Sequence, residues 1–303
     1  MEQQPANSNF LKWWHIALPI AIVVALFLLV NFRQAAISKS NKNETFQTSK
    51  TLDQQKATSY KKEKKTTKSE LLKEDIVAKI KTYESQLKQG DTVSIEKLVN
   101  LGAYYVQNNQ AKNAIAILGK AIEKEPTSAE AHHNMGSAYD KLKQYTKAIK
   151  YYKLALSLSK KNEDSYYNLA KLYLKQKQNN LAFQNFKALT ELNPKHANAW
   201  FNIGLLNDAD KNYKEAISAY TNAVIHQQNF ATAYYNMGNT YIKMNKLQTA
   251  KEAYEKAIEA DDAYARAYVN LANVQQAMGD SITAQQSFKK AIELDPSLKK
   301  LTK

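Results

Sequence analysis

One residue type recurs at a spacing that could do chemistry. Asn100, Asn134, Asn168, Asn202, Asn236 and Asn270 follow one another with a constant period of 34. Asparagine is a weak helix former, yet its surroundings are patterned as helix: AHHNMGSAY from Ala131, SYYNLAKLY from Ser165, AWFNIGLLN from Ala199 and AYYNMGNTY from Ala233. A carboxamide offers a pair of donor hydrogens and an acceptor oxygen. A row of six can therefore bond both the C=O and the N–H of an extended peptide, whatever its side chains. The same amides can instead tether adjacent helices. The two uses are compatible, because one amide has several bonding sites.

Other chemistry is missing. The only histidines are His15, His132, His133, His196 and His226, and no pair has metal-ligand spacing together with a third ligand. His132 and His133 stand where the parallel segments carry Tyr, Trp or Phe, which marks them as packing residues. The absence of cysteine excludes a disulfide framework and a thiolate metal site. No phosphate-binding glycine loop or nucleophile elbow occurs. Carboxylates alternate with lysines at helical spacing, as on solvated faces. No cofactor, metal or small-molecule substrate is expected, and the chain is not expected to be an enzyme.

The elements that must position the asparagines follow from the same period. Counted from Ile95, the repeated units run 95–128, 129–162, 163–196, 197–230, 231–264 and 265–298 without insertion or deletion. The asparagine is position 6 of each. Position 8 is small (Gly102, Gly136, Ala170, Gly204, Gly238, Ala272) and position 20 is always alanine. Position 24 is large: Leu118, Tyr152, Phe186, Tyr220, Tyr254, Phe288. Small residues let two helices approach, and the large one fills the space beside them. A polar turn falls near position 15. Proline at position 32, in Pro126, Pro194 and Pro296, is expected to stop the second helix. Leu189 for the small residue at position 27, Asn207 and Gln275 for the aromatic at position 11, and Lys160, Gln228 and Asp262 for proline are expected to loosen single joints. Each unit reads as a helical hairpin that only stacked neighbours can bury.

This pattern resembles the tetratricopeptide repeat (TPR) family, whose period is also 34. The resemblance implies an all-α, right-handed superhelical solenoid of six helix-turn-helix units. It also implies that positions 2, 5, 6 and 9 of the first helices line its inner groove. The row of asparagines is similar to the ladder in the TPR superhelix attached to O-linked N-acetylglucosamine transferases. Position 5 supplies Tyr167, Phe201 and Tyr235, which either receive side chains of a bound segment or pack between units. Some TPR co-chaperones clamp a C-terminal carboxylate with basic residues. Here position 2 is Glu96, Glu130, Asp164, Asn198, Thr232 and Arg266, and its acidic members would repel such a ligand.

The N-terminal third is different. After a short tail (1–12) comes a long apolar run, 13–32. As a helix this gives about 30 Å, one hydrocarbon thickness, with Trp13 and Trp14 at one interface. A cleaved leader is the competing reading, but Gln34 spoils the small-x-small cleavage pattern. Lys12 precedes the run, whereas Arg33, Lys39, Lys42 and Lys50 follow it, which places the repeats in the cytoplasm by the positive-inside rule. Residues 33–68 hold ten basic and three acidic residues and read as a disordered tether. Its patch Lys61 to Lys68 is either solvated or drawn to anionic lipid. Nucleic-acid binding is disfavoured, because arginine clusters and recognition motifs are absent. Residues 69–90 read as an amphipathic helix with Leu72, Ile76, Ile80, Tyr83 and Leu87 on one face, the cap that a repeat array requires. Residues 299–303 form a short tail.

The expected function is a membrane-anchored scaffold or adaptor that binds an extended segment of a partner protein in its groove. The alternatives are an extracytoplasmic chaperone-like or envelope-assembly factor, and a substrate-recognition subunit of an enzyme such as a glycosyltransferase.

Overall fold

The computed structural model of the protein describes residues 73–87 and 94–301. The apolar run 13–32, the basic segment 33–68, both ends of the helix expected over 69–90, and residues 302–303 lie outside the described residues. Among the described residues no helix is long and apolar enough to cross a membrane.

All regular structure among these residues is helical. Residues 73–87 form α1. Repeat one is α2 (Ile95–Gln107) and α3 (Ala111–Lys124), and repeat two is α4 (Ala129–Lys141) and α5 (Tyr145–Leu158). Repeat three is α6 (Glu163–Lys175) and α7 (Asn179–Leu192), and repeat four is α8 (Ala197–Ala209) and α9 (Tyr213–His226). Repeat five is α10 (Ala231–Lys243) and α11 (Leu247–Ala260), and repeat six is α12 (Ala265–Ala277) and α13 (Ser281–Leu294). A 3₁₀ turn, Pro296–Leu301, follows. The two helices of each repeat pack on each other, and each second helix packs on the next first helix, so the chain is a solenoid of hairpins.

Local chemistry sets the helix ends. Ser94, Ser128, Asn162 and His196 each accept, through the side chain, the amide three residues on, a cap contributing about 1 kcal/mol. The turn inside each hairpin has a left-handed residue at position 15: Asn109, Lys143, Lys177, Lys211, Asn245 and Gly279. The next amide then bonds the position-11 carbonyl at 2.8–2.9 Å in all six repeats, which satisfies a carbonyl the helix end would otherwise leave open.

Proline is not what ends the second helices. They stop at position 30 in all six repeats, although only Pro126, Pro194 and Pro296 occupy position 32. The next residue is extended in each, with φ between −130° and −150°. The chain must turn there to lay the next first helix on the second, and packing enforces that turn with Lys160, Gln228 and Asp262 as well. Leu189 is fully buried, so the larger residue at position 27 is accommodated. Gln275 is buried too, and its Oε1 accepts from Ser287 at 2.9 Å. Asn207 bonds the Ile203 carbonyl within its own helix at 3.1 Å.

The core runs the length of the solenoid. All six position-20 alanines and the position-24 residues Leu118, Tyr152, Phe186, Tyr220 and Tyr254 are at most 1% exposed. Burying a large position-24 side chain such as Leu118 or Phe186 contributes about 1.5–3 kcal/mol. Repeats three and six pair Ala170 with Phe186 and Ala272 with Phe288, where Gly136, Gly204 and Gly238 face tyrosine. On α1, Ile80 is buried, and Ile76, Tyr83 and Leu87 pack beside Leu101 and Tyr105 of repeat one. The Tyr105 hydroxyl donates to Glu84.

Candidate functional site

The first helices of repeats four to six, with Leu247 and Tyr254 of α11, line a groove of about 530 Å³. Its apolar floor is Ile242, Leu247, Val274 and Ala277, and four carboxamides surround it: Asn236 and Asn270 at position 6, Asn239 and Asn273 at position 9. One wall is the Asp208–Lys243 ion pair, which links position 12 of repeat four to position 13 of repeat five. Asp208 also accepts from Thr240 Oγ1 at 2.8 Å. The two charges thus satisfy each other, and the groove presents no unbalanced charge there.

The amides are not equivalent. Asn270 Nδ2 reaches back across the joint to Asn239 Oδ1 (2.9 Å) and the Tyr235 hydroxyl (3.2 Å). Tyr254 donates to the same Asn239 oxygen at 2.8 Å. These four residues lock repeat five to repeat six. Asn168 lies beside the Tyr152 hydroxyl of the preceding repeat and Asn202 beside that of Tyr167, where each offsets part of the burial that raises the phenol. Asn202 and Asn236 also donate to carbonyls one turn back, at 2.6 and 2.7 Å. Asn134 is buried and Asn100 half-buried on the same row. Asn273, exposed, makes no hydrogen bond among the described residues. The structure therefore gathers Asn236 and Asn270 of the six predicted asparagines into the groove and uses Asn168, Asn202 and Asn270 at the joints.

Position 5 builds a second row. Tyr167, Phe201 and Tyr235 lie 5.8–5.9 Å from the position-24 rings of their own repeats. On their other side stand His196, Phe230 and Tyr264, at 4.9–5.2 Å. These are position 34, the N-cap of the next first helix. Phe230 and Tyr264 make no side-chain cap bond there, so ring packing has displaced capping. Repeat two varies the theme: His133 lies over Tyr152 at 5.4 Å, and its Nδ1 contacts Ser165 Oγ at 2.8 Å. Burial pushes the His133 imidazole below its usual range, with Asp164 pulling the other way.

The position-24 tyrosines need partners because burial keeps their phenols neutral, with titration pushed well above the ordinary range. Position 9 supplies them: Ser137 for Tyr152 at 3.0 Å and Asn239 for Tyr254. In repeat four position 9 is Leu205, and the buried Tyr220 hydroxyl finds no partner among the described residues. The roles of Asn239, Asn273, Asp208 and Lys243 are not among those expected from the sequence. Neither are those of the position-34 rings, whose signal is an aromatic residue just before three successive first helices.

These hairpins and their groove define a helical-repeat binding solenoid. Tetratricopeptide-repeat family profiles match residues 129–162, 167–232 and 229–297, together more than half of the chain, and the chain belongs to that family. The crystal structure of MamA is 28% identical, with a TM-score of 0.51 over 55% of this chain and 97% of that one. The crystal structure of YrrB, described as a TPR protein with an unusual peptide-binding site, is 25% identical, with a TM-score of 0.52 over 61% of this chain and 95% of that one. The structure of pilF from Pseudomonas aeruginosa, 21% identical with a TM-score of 0.57 over 67% of this chain and 92% of that one, shares the fold. No curated protein matches the chain in sequence.

Proposed function

We propose that the chain is a membrane-anchored, non-enzymatic adaptor that holds an extended segment of a partner protein along its first helices. The observation that carries this reading is the groove of repeats five and six, an apolar floor ringed by four carboxamides. Asn236 and Asn273 are the amides least committed to the joints, and they bond the segment's backbone. An apolar side chain sits over Ile242, Leu247, Val274 and Ala277. The self-satisfied Asp208–Lys243 pair leaves nothing to attract a carboxylate. YrrB, with its peptide-binding site, supports this use of the fold. The resemblance to the transferase-attached superhelix rests on the asparagine row alone. Helix α1 acts as the cap of the first repeat through Ile80 and its neighbours. The anchor is the apolar run 13–32, and the basic residues that follow it favour a cytoplasmic solenoid. An alkaline phosphatase fused to the C-terminus tests that placement, and activity there would overturn it.

A photocrosslinking amino acid at Ile242 tests the groove, with one at Ile282, 75% exposed on α13, as control. The expected adduct at Ile242 maps to an extended segment of the partner and is lost in the Asn236→Ala/Asn273→Ala variant, which stays helical. An adduct indifferent to that variant, or the same adduct from Ile282, would remove the reading.

A further inference from the structure

Two local rules are broken on one edge of the solenoid, the row of turns inside the hairpins. Position 15 is left-handed in every repeat, a conformation that favours glycine. Repeat six has Gly279 there, but repeats two, three and four carry Lys143, Lys177 and Lys211, all exposed. The second helix begins just after, and its N-terminus favours acidic residues. Lys246 is instead the N-cap of α11, Lys112 stands in the first turn of α3, and Lys214 precedes Glu215 in that of α9; only α13 has an acidic N-cap, Asp280. Neither choice serves the fold.

Over positions 13–18 the six repeats hold nine lysines against only Asp210 and Asp280. The turns line up along one edge, and at three of the five joints a bond crosses from one turn to the one before. Lys141 donates to Asn109 and Lys175 to Asp140, both at 3.0 Å, and Lys243 pairs with Asp208. Those three lysines are occupied. The side chains of Lys143, Lys177, Lys211, Lys214 and Lys246 make no ion pair or hydrogen bond among the described residues. On the opposite edge repeats one to three obey the helix dipole, with Glu96, Glu130, Glu163 and Asp164 in first turns, whereas the first turns of α8, α10 and α12 carry no acidic residue and α12 has Arg266. The asymmetry is between edges and is not a matter of overall composition.

We propose that the lysine edge docks the solenoid flat against an anionic lipid surface. The choice of occupant rests on the membrane-anchored reading above, and the edge lies apart from the asparagine groove. A regularly spaced row of strongly hydrated point charges suits a diffuse layer of headgroups. A nucleic-acid surface would call for arginine and stacking aromatics, and the only arginines of the chain are Arg33 and Arg266.

The chain has no cysteine, so single labels are clean. A fluorophore at Asn245→Cys reports on the edge, and one at Asn229→Cys on the opposite side. Full-length protein is placed in phosphatidylcholine vesicles with or without phosphatidylglycerol, carrying a headgroup quencher. Quenching is expected at the edge label only, with phosphatidylglycerol only, and is reversed by salt. Lys143→Gly/Lys177→Gly/Lys211→Gly should lower the ratio of docked to free solenoid roughly 100-fold. The same changes relieve left-handed backbone, so misfolding does not explain the loss. Equal quenching of both labels, indifference to phosphatidylglycerol, or full quenching in the triple variant would overturn the proposal. So would displacement of the lipid by a polynucleotide at physiological salt. Release of the chain from pure phosphatidylcholine by salt would instead indict the anchor. Edge quenching on added anionic vesicles would remain readable in that case.

Discussion

Gly204 and Tyr220 meet so closely that a Cβ on the glycine would lie 2.5 Å from the tyrosine ring. The contact packs the two helices of repeat four closely against each other. Gly204→Ala forces the ring to shift within a packed core and should destabilise the protein by about 1–3 kcal/mol. Urea unfolding followed by circular dichroism checks this. Gly119, with nothing within 4 Å of its Cβ position, is the control, and Gly119→Ala in mid-helix should stabilise by roughly 0.5–1 kcal/mol.

The three buried tyrosines at position 24 should respond differently to loss of their hydroxyls. Tyr254→Phe strips Asn239 of a donor and should cost about 1 kcal/mol. Tyr220→Phe removes a buried hydroxyl without a partner and should be neutral or stabilising. Leu205→Asn, copying Asn239, should reverse that order by providing a partner. A double-mutant cycle on thermal midpoints tests the pair.

His133 makes the joint of repeats two and three sensitive to acid. Its folded pKa is lowered, so the unfolded chain takes up a proton near the usual value of about 6.5 before the folded one does. The contribution is complete above that pH and falls as the pH drops below it. His133→Tyr, matching Tyr167 and Tyr235, should flatten the dependence. Urea midpoints at about pH 7.5 and about pH 5 give the comparison. An unchanged slope would show that other groups set the acid limit.

Lys177 adopts φ of +58°. Lys177→Gly should raise stability by roughly 0.5–1 kcal/mol, the left-handed penalty less the added chain entropy of glycine. Gly279→Lys, at φ of +87°, should lower it. Unfolding midpoints of the two variants should move in opposite directions.

The repeat architecture was legible because its determinants are local and periodic. Small residues at positions 8 and 20 and a large one at position 24 specify a hairpin within a single period. Six copies in one frame make stacking the only way to bury the faces. Repetition also exposed the asparagine row. It misled on proline, where a strong local signal coincides with a turn that packing produces without it.

The unit, its frame and the row of carboxamides follow from residue order alone. How each carboxamide is used follows from packing between repeats. Asn270 bonds Asn239 and Tyr235, 31 and 35 residues earlier, while Asn273, three residues on, is left exposed in the groove. That difference depends on what the neighbouring repeat presents across the joint. Leu205 in place of Asn239 leaves Tyr220 without a partner for the same reason. Hydrogen bonds across joints join residues about one repeat apart, and their partners vary where the period does not.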